Sequence, residues 1–323
     1  MLNWRVLSYL GVPMEYTKPA LTYEQQADLA ISRGLAAERD ELVACLESIG
    51  YYRLSGYWHI FKDPVTGLFY DNATLERVCE LYDFDRRLKL LVFDAVERVE
   101  VYLRTQLAYE LAHDSGPFGY LREENLPNLN RAAYDGLVSR CRKSFDRSRE
   151  PFALHFKRAY GDEHELPPYW IMVNMMDFGM VFTLYRGAPN PVRKKIAEGL
   201  GVAPRVLDSW LLAINTTRNV CAHHGRLWNR VLGTRALTPR AKNDVRWHEP
   251  YEVQTDRPFM ILTVLACLME TVAPECGWQA GIVELVSTRS ASDMERMGFT
   301  GGWERCPFWS VWTSDDKSAD ALV

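Results

Sequence analysis

The sequence predicts an all-α fold, a helical bundle with an N-terminal helical subdomain and a short C-terminal tail. Two observations carry this expectation. Between Thr74 and His113, positions 78, 81, 85, 88, 92, 95, 99, 103, 107 and 111 recur at intervals of three and four, and all but Asp85 are apolar, the pattern of a long amphipathic helix. Period-two alternation, the mark of half-buried strands, is nearly absent elsewhere.

Taken in order, Thr22 to Gly34 reads as a helix capped by Thr22, with Glu24 to Gln26 in its first turn and Gly34 as its stop. A second helix is expected from Glu38 to Ile49, ending at Gly50. Tyr51-Tyr-Arg-Leu-Ser-Gly-Tyr-Trp58 then gathers aromatics around a glycine, and an irregular stretch through Asp63-Pro64 and Gly67 leads to Asn72; a short strand pair or a loop is expected here. The long helix ends before Gly116-Pro117 and would run ~60 Å at 1.5 Å per residue, as a central pillar. Further helices are expected over 131–145, 151–160, 168–186, 191–200, 204–230 and 257–273. Without internal repeats or a low-complexity linker, the expected organisation is a subdomain over residues 1–70, a helical core over 71–285 and a tail over 286–323.

The composition, 47% hydrophobic and 25% charged over 323 residues, is that of a well-packed globular protein and excludes disorder, collagen and coiled coil. The longest apolar run, Phe259 to Met269, stops at Glu270, short of the ~20 residues of a membrane span. It reads as a buried helix, and no membrane partner is expected. Met1-Leu-Asn-Trp-Arg5 lacks the basic and apolar regions of a signal peptide, so a cytoplasmic location is expected. Seven scattered cysteines with no Cys-x-x-Cys pair fit free thiols in a reducing compartment, and indicate neither a disulfide scaffold nor a zinc ribbon. The net charge of −4 hides a split: Arg131 to Arg246 carries 20 basic and 10 acidic residues, a net of +10 against −14 for the rest. Such a basic third fits either a polyanion footprint or an unevenly charged solvated surface, and charge alone leaves both open.

The segment richest in chemistry is Asn215-Thr-Thr-Arg-Asn-Val-Cys-Ala-His-His-Gly-Arg-Leu-Trp-Asn-Arg230. On one continuous helix, Asn215, Asn219, His223, Arg226 and Arg230 would fall within ~80°, a polar stripe opposite Leu207, Leu211, Ile214, Cys221 and Ala222, with Arg218 at the edge. Amide, imidazole and guanidinium groups without a carboxylate suit a phosphate better than a metal or a carbonyl. Within the stripe lies Arg218-Asn219-x-x-x-His223. With four to six intervening residues allowed, the bare Arg-to-His pattern has decoys at Arg53 to His59, Arg149 to His155 and Arg158 to His164, but only the Arg218 instance sits inside a strong helical pattern. Other readings stay open. His223 and His224 also suit a helix C-terminus before Gly225, and Cys221 with the two histidines contains zinc-ligand types, although at that spacing they point apart. Tyr51, Tyr52, Tyr57 and Trp58 suit either base stacking or a core.

Ordered motifs along nearly the whole chain carry a resemblance. They are Lys18-Pro-Ala-Leu-Thr22 with Gln25-Gln26, Ile49-Gly-Tyr-Tyr-Arg-Leu-Ser-Gly-Tyr57, Leu81-Tyr-Asp-Phe-Asp-Arg-Arg-Leu88, Glu97-Arg-Val-Glu100, Leu166-Pro-Pro-Tyr-Trp170, Arg218-Asn-Val-Cys-Ala-His-His224 with Arg226-Leu-Trp-Asn-Arg230, and Met297-Gly-Phe299. With these the chain resembles the Abi-like family of bacterial abortive-infection proteins, the AbiD/AbiF group, and through it the HEPN superfamily of helical proteins. The nuclease halves of type VI CRISPR effectors are similar. The resemblance implies a HEPN-like bundle, a metal-independent endoribonuclease site built on Arg-x4-6-His, and a toxin-like role in phage defence. No cofactor is implied. It also implies an RNA substrate, a small non-coding antitoxin RNA as a possible partner, and a homodimer.

The chemistry agrees with that implication. RNA supplies its own nucleophile, the 2′-OH, so a site needs a group titrating near neutrality and a cation for the phosphorane. His223 suits the first role and Arg218 the second, with Asn219 orienting His223 or holding a phosphate. For the RNA itself, His224, Arg226, Arg230, Arg104, Arg193, Lys194, Lys195, Arg140, Arg142 and Lys143 are the expected contacts. Glu97 and Glu100, the latter at i,i+4 to Arg104, are read either as a second wall of the site or as part of a simple ion pair. Two other classes stay open, a non-catalytic protein holding a regulatory RNA and a protein-interaction helical domain.

Overall fold

The computed structural model describes residues 16–254 and 256–313. Met1 to Arg5, on which the signal-peptide expectation rests, lie outside them. Among the described residues the chain is all-α, and its only pairings of strand type are the isolated bridges Ala36 to Thr74 and Lys62 to Phe69. It divides into two compact units, Met1–Asp83 and Phe84–Val323.

The first unit holds α1 (Tyr23–Ser32), α2 (Arg39–Ile49) and α3 (Tyr51–Trp58). Thr22 caps α1 as expected: its Oγ1 accepts from Gln25 N at 3.3 Å, and Gln25 Oε1 accepts from Thr22 N at 2.9 Å, the reciprocal capping box. Gly34, at φ 98°, lets the chain leave α1 in a conformation open to glycine. Residues 51–58 are helical, where a strand pair or loop was expected. Leu54, Tyr57 and Trp58 occur at helical spacing and are all buried, and burial of that face outweighs the aromatic preference for strands. Of the strand pair only the Lys62 to Phe69 bridge exists.

The long helix α4 (Leu75–Ser115) spans 41 residues, and the division between the units falls within it. Every position of its predicted stripe is buried, Asp85 included. Beyond it follow α5 (Arg131–Arg147), α6 (Pro151–Tyr160), α7 (Tyr169–Met172), α8 (Phe178–Gly187), α9 (Asn190–Gly199) and α10 (Pro204–Ala222). The single helix expected over 168–186 is broken. After α7 a tight turn, Val173–Met175, leads into an extended Met176, and Asp177 starts α8 anew by accepting from Met180 N at 2.8 Å.

The apolar run forms α11 (Pro258–Val272), whose residues from Pro258 to Met269 are all buried; no described helix is long and apolar enough to cross a membrane. Three further helices, α12 (Trp278–Ser287), α13 (Ala291–Met297) and α14 (Ser310–Thr313), complete the second unit. Around α11, Phe299 packs at a tilt against Phe259 with centroids 4.4 Å apart, and Trp309 Nε1 donates to Thr263 Oγ1 at 3.1 Å, so that this buried indole keeps a polar partner.

Candidate functional site

The geometry of the site begins with the end of α10. Ala222 is its last residue and His223 its C-cap, at φ −88° and ψ 16°. His224 takes a left-handed φ of 55°, alone among the described non-glycine residues. Two hydrogen bonds then close the terminus: His224 N donates to Cys221 O at 2.9 Å and Gly225 N to Val220 O at 2.7 Å. This is a Schellman closure with histidine where glycine is usual. A side chain in that conformation costs roughly 1–2 kcal/mol, so the surrounding structure must hold it. Gly225 follows for lack of space, since a Cβ there would lie 3.0 Å from both Val220 O and Val220 Cγ1.

What holds the turn is α4. Asp85, fully buried, accepts with one oxygen from Leu227 N at 2.9 Å and Trp228 N at 2.7 Å. Its other oxygen lies 3.0 Å from Lys89 Nζ, and Lys89 reaches Gly225 O at 3.5 Å. Buried charges are tolerated when paired and hydrogen-bonded in this way. Leu227 and Trp228 are themselves fully buried. The polar break in the α4 stripe is therefore an anchor that draws residues 225–228 out of the helical path.

The helix expected over 204–230 thus stops at 222, and the five-residue stripe divides. Asn215 and Asn219 stay on α10, while Arg226 and Arg230 belong to the segment after it. Leu207, Leu211, Ile214 and Cys221 are buried as expected, but Ala222 is exposed at the helix end. Burial, and then the Asp85 charge, push the Cys221 thiol up to about 12. Among the described residues no cluster of His, Cys, Asp and Glu is arranged to hold a metal. His223 and His224 are both exposed. Arg230 lines a separate cavity of about 240 Å³ with Thr216, Thr217 and Thr234.

Arg218 is half-buried, with Nη1 3.3 Å from Asn219 Oδ1. It shares a groove of about 540 Å³ with Glu97, Glu100 and Arg104 of α4, and with Asn174. The two walls considered from the sequence therefore meet. Arg104 is strongly engaged: it pairs with Glu100, donates to Val173 O, and donates to Met176 O at 2.6 Å. Val173 O also accepts from Met176 N at 3.4 Å, within the tight turn that the break after α7 creates, so one guanidinium fork both closes the turn and fixes the groove wall.

Val101, Arg104 and Asn174 also line a second cavity of about 390 Å³, walled by Tyr109, His113 and Trp170. The rings of Tyr109 and His113 meet at a tilt with centroids 4.2 Å apart, and the exposures of Tyr109 and Trp170 are 56% and 51%. This aromatic extension was not foreseen. Its sequence signal is faint: Val101 and Tyr109 are large apolar residues on α4 that lie off the core stripe.

The remaining cations expected on RNA lie elsewhere and mostly meet carboxylates. Arg142 pairs with Glu165 through two bonds of 2.6 and 2.9 Å, Lys195 with Glu110 at 2.7 Å, Lys194 with Glu198 at 3.6 Å and Arg193 with Asp208 at 3.4 Å. Arg140 approaches Thr183 Oγ1 at 3.5 Å, and Lys143 is exposed. None of these residues lines the groove of Arg218. The exposed pairs among these contribute little stability.

A family model described as Abi-like protein matches residues 44–229, from α2 through the Trp228-Asn229 step. No curated protein and no solved structure matches the chain.

Proposed function

The chain belongs to the Abi-like protein family, and from that premise we propose that it is a metal-independent endoribonuclease of the HEPN type, toxin-like and acting in the cytoplasm in abortive-infection defence against phage. The observation that carries this reading is the meeting of Arg218 with Glu97, Glu100 and Arg104 in one groove, with an exposed His223 five residues further along the chain.

In the proposed reaction His223 removes the proton of a ribose 2′-OH, and the oxygen attacks the adjacent phosphorus. Arg218 stabilises the charge that builds on the phosphorane oxygens. The P–O5′ bond breaks, the departing oxygen takes a proton, and the products are a 2′,3′-cyclic phosphate and a 5′-hydroxyl. One chain supplies one such imidazole, so the proton donor is the His223 of a second copy, which makes the active species a homodimer. The strand follows the groove along α4, with bases stacking on Tyr109 and Trp170 beyond the cleavage point.

The test is cleavage of a labelled RNA in excess EDTA by the wild type, His223→Ala and Arg218→Ala, with analysis of product ends. Cyclic-phosphate ends from the wild type alone support the reading. RNA bound but uncut by the wild type replaces it with a protein that holds a regulatory or antitoxin RNA, and RNA neither bound nor cut removes both. A sedimenting monomer with full activity removes the dimer.

A further inference from the structure

Two thiols meet in the first unit. Cys45 on α2 and Cys79 in the first turns of α4 place their sulfurs 3.5 Å apart, although 34 residues separate them in the chain. Both are half-buried, so small solutes reach them. The pair stands apart from the buried Cys141, Cys221, Cys267 and Cys306, which a soluble oxidant meets poorly.

We propose that Cys45 and Cys79 form a reversible oxidation site that closes to an intramolecular disulfide on contact with a peroxide or a low-molecular-weight disulfide. The sulfurs lie roughly 1.5 Å beyond the ~2.05 Å of a disulfide bond. With hydrogen peroxide, the Cys45 thiolate attacks one peroxide oxygen, the O–O bond breaks, and the departing hydroxide takes up the thiol's proton as water. This leaves a sulfenic acid on Cys45. The Cys79 sulfur then attacks the Cys45 sulfur, the S–O bond breaks, and the hydroxyl leaves with the Cys79 proton as a second water. Two thiols lose two electrons, and one peroxide becomes two waters. With a low-molecular-weight disulfide, two exchanges release two thiols instead.

The order of attack follows from the contact. A hydrogen bond from Cys79 holds the Cys45 thiol down to about 7, while the same contact and burial push Cys79 up. That contact favours Cys45 as the attacking thiolate and Cys79 as the resolving thiol. By contrast, burial pushes Cys141 and Cys267 up to about 12 and Cys306 to about 11.

The full chain is incubated with hydrogen peroxide or oxidised glutathione, quenched by alkylation, digested without reductant and examined by mass spectrometry. The expected result is one cross-linked peptide joining Cys45 and Cys79, a fall of two in titratable thiols, and full recovery with dithiothreitol. Cys45→Ser and Cys79→Ser each abolish that peptide. In the reduced protein, iodoacetamide labels Cys45 faster than Cys79 at neutral pH. Failure of the wild type to form the peptide at thiol-oxidising doses overturns the proposal, as does a disulfide that joins either cysteine to a different partner. The outcome is independent of whether the chain cuts RNA.

Discussion

Asp85 Oδ1 lies 2.7 Å from the backbone nitrogen of Trp228, a residue 143 positions later, and the same oxygen accepts from Leu227. This contact ends the path of α10 and sets where His223 and His224 stand. Asp85→Ala leaves the amides of Leu227 and Trp228 without this acceptor and the Lys89 cation without its carboxylate. Removing one partner of a buried pair costs about 3–5 kcal/mol. A fall of that size is expected in urea unfolding, with loss of cleavage. A change below about 1 kcal/mol refutes the anchoring role.

His224 tests the strain at the helix end separately from the imidazole. His224→Ala and His224→Gly both delete the ring, but only glycine relieves the φ of 55°. The glycine variant is expected to exceed the alanine variant by about 1 kcal/mol in unfolding free energy. Equal stabilities mean that the left-handed turn is not retained in solution.

Arg104 joins Glu100 to the carbonyls of Val173 and Met176. Lysine keeps the charge but not the planar fork. Arg104→Lys is therefore expected to lose about 2 kcal/mol and to speed hydrogen exchange in the turn before α8. Wild-type exchange in that turn refutes the clamp.

Tyr109 and Trp170 carry aromatic surface and no charge. On the proposed path, replacing either by alanine in the His223→Ala background raises the RNA dissociation constant by roughly 5- to 150-fold, the 1–3 kcal/mol of one stacked base. The salt dependence of binding stays unchanged, because no phosphate contact is lost. Unaltered affinity in fluorescence anisotropy moves the strand off this wall.

Much of the architecture is written in neighbouring residues. The stripe from Val78 to Leu111, the Thr22 cap and the apolar run from Phe259 all encode their helices through spacings of three and four or a single capping side chain. Arg218 and His223 stood out for the same reason, as they lie within two turns of one segment. Residues 51–58 were misread because aromatic composition favours strands, and only burial of Leu54, Tyr57 and Trp58 decided for a helix.

Periodicity and capping act over a few residues, so the all-α class, the long helix α4 and the segment that bears the Arg-x4-His pattern are legible from neighbouring residues. Tertiary structure alone decided that α10 stops at Ala222, that Glu97, Glu100 and Arg104 face Arg218, and that Cys45 meets Cys79. Each of these depends on residues tens to more than a hundred positions apart, and nothing in the local spacing distinguishes Asp85 as an anchor from a simple interruption of an apolar stripe. Only its burial against the amides of Leu227 and Trp228 does so.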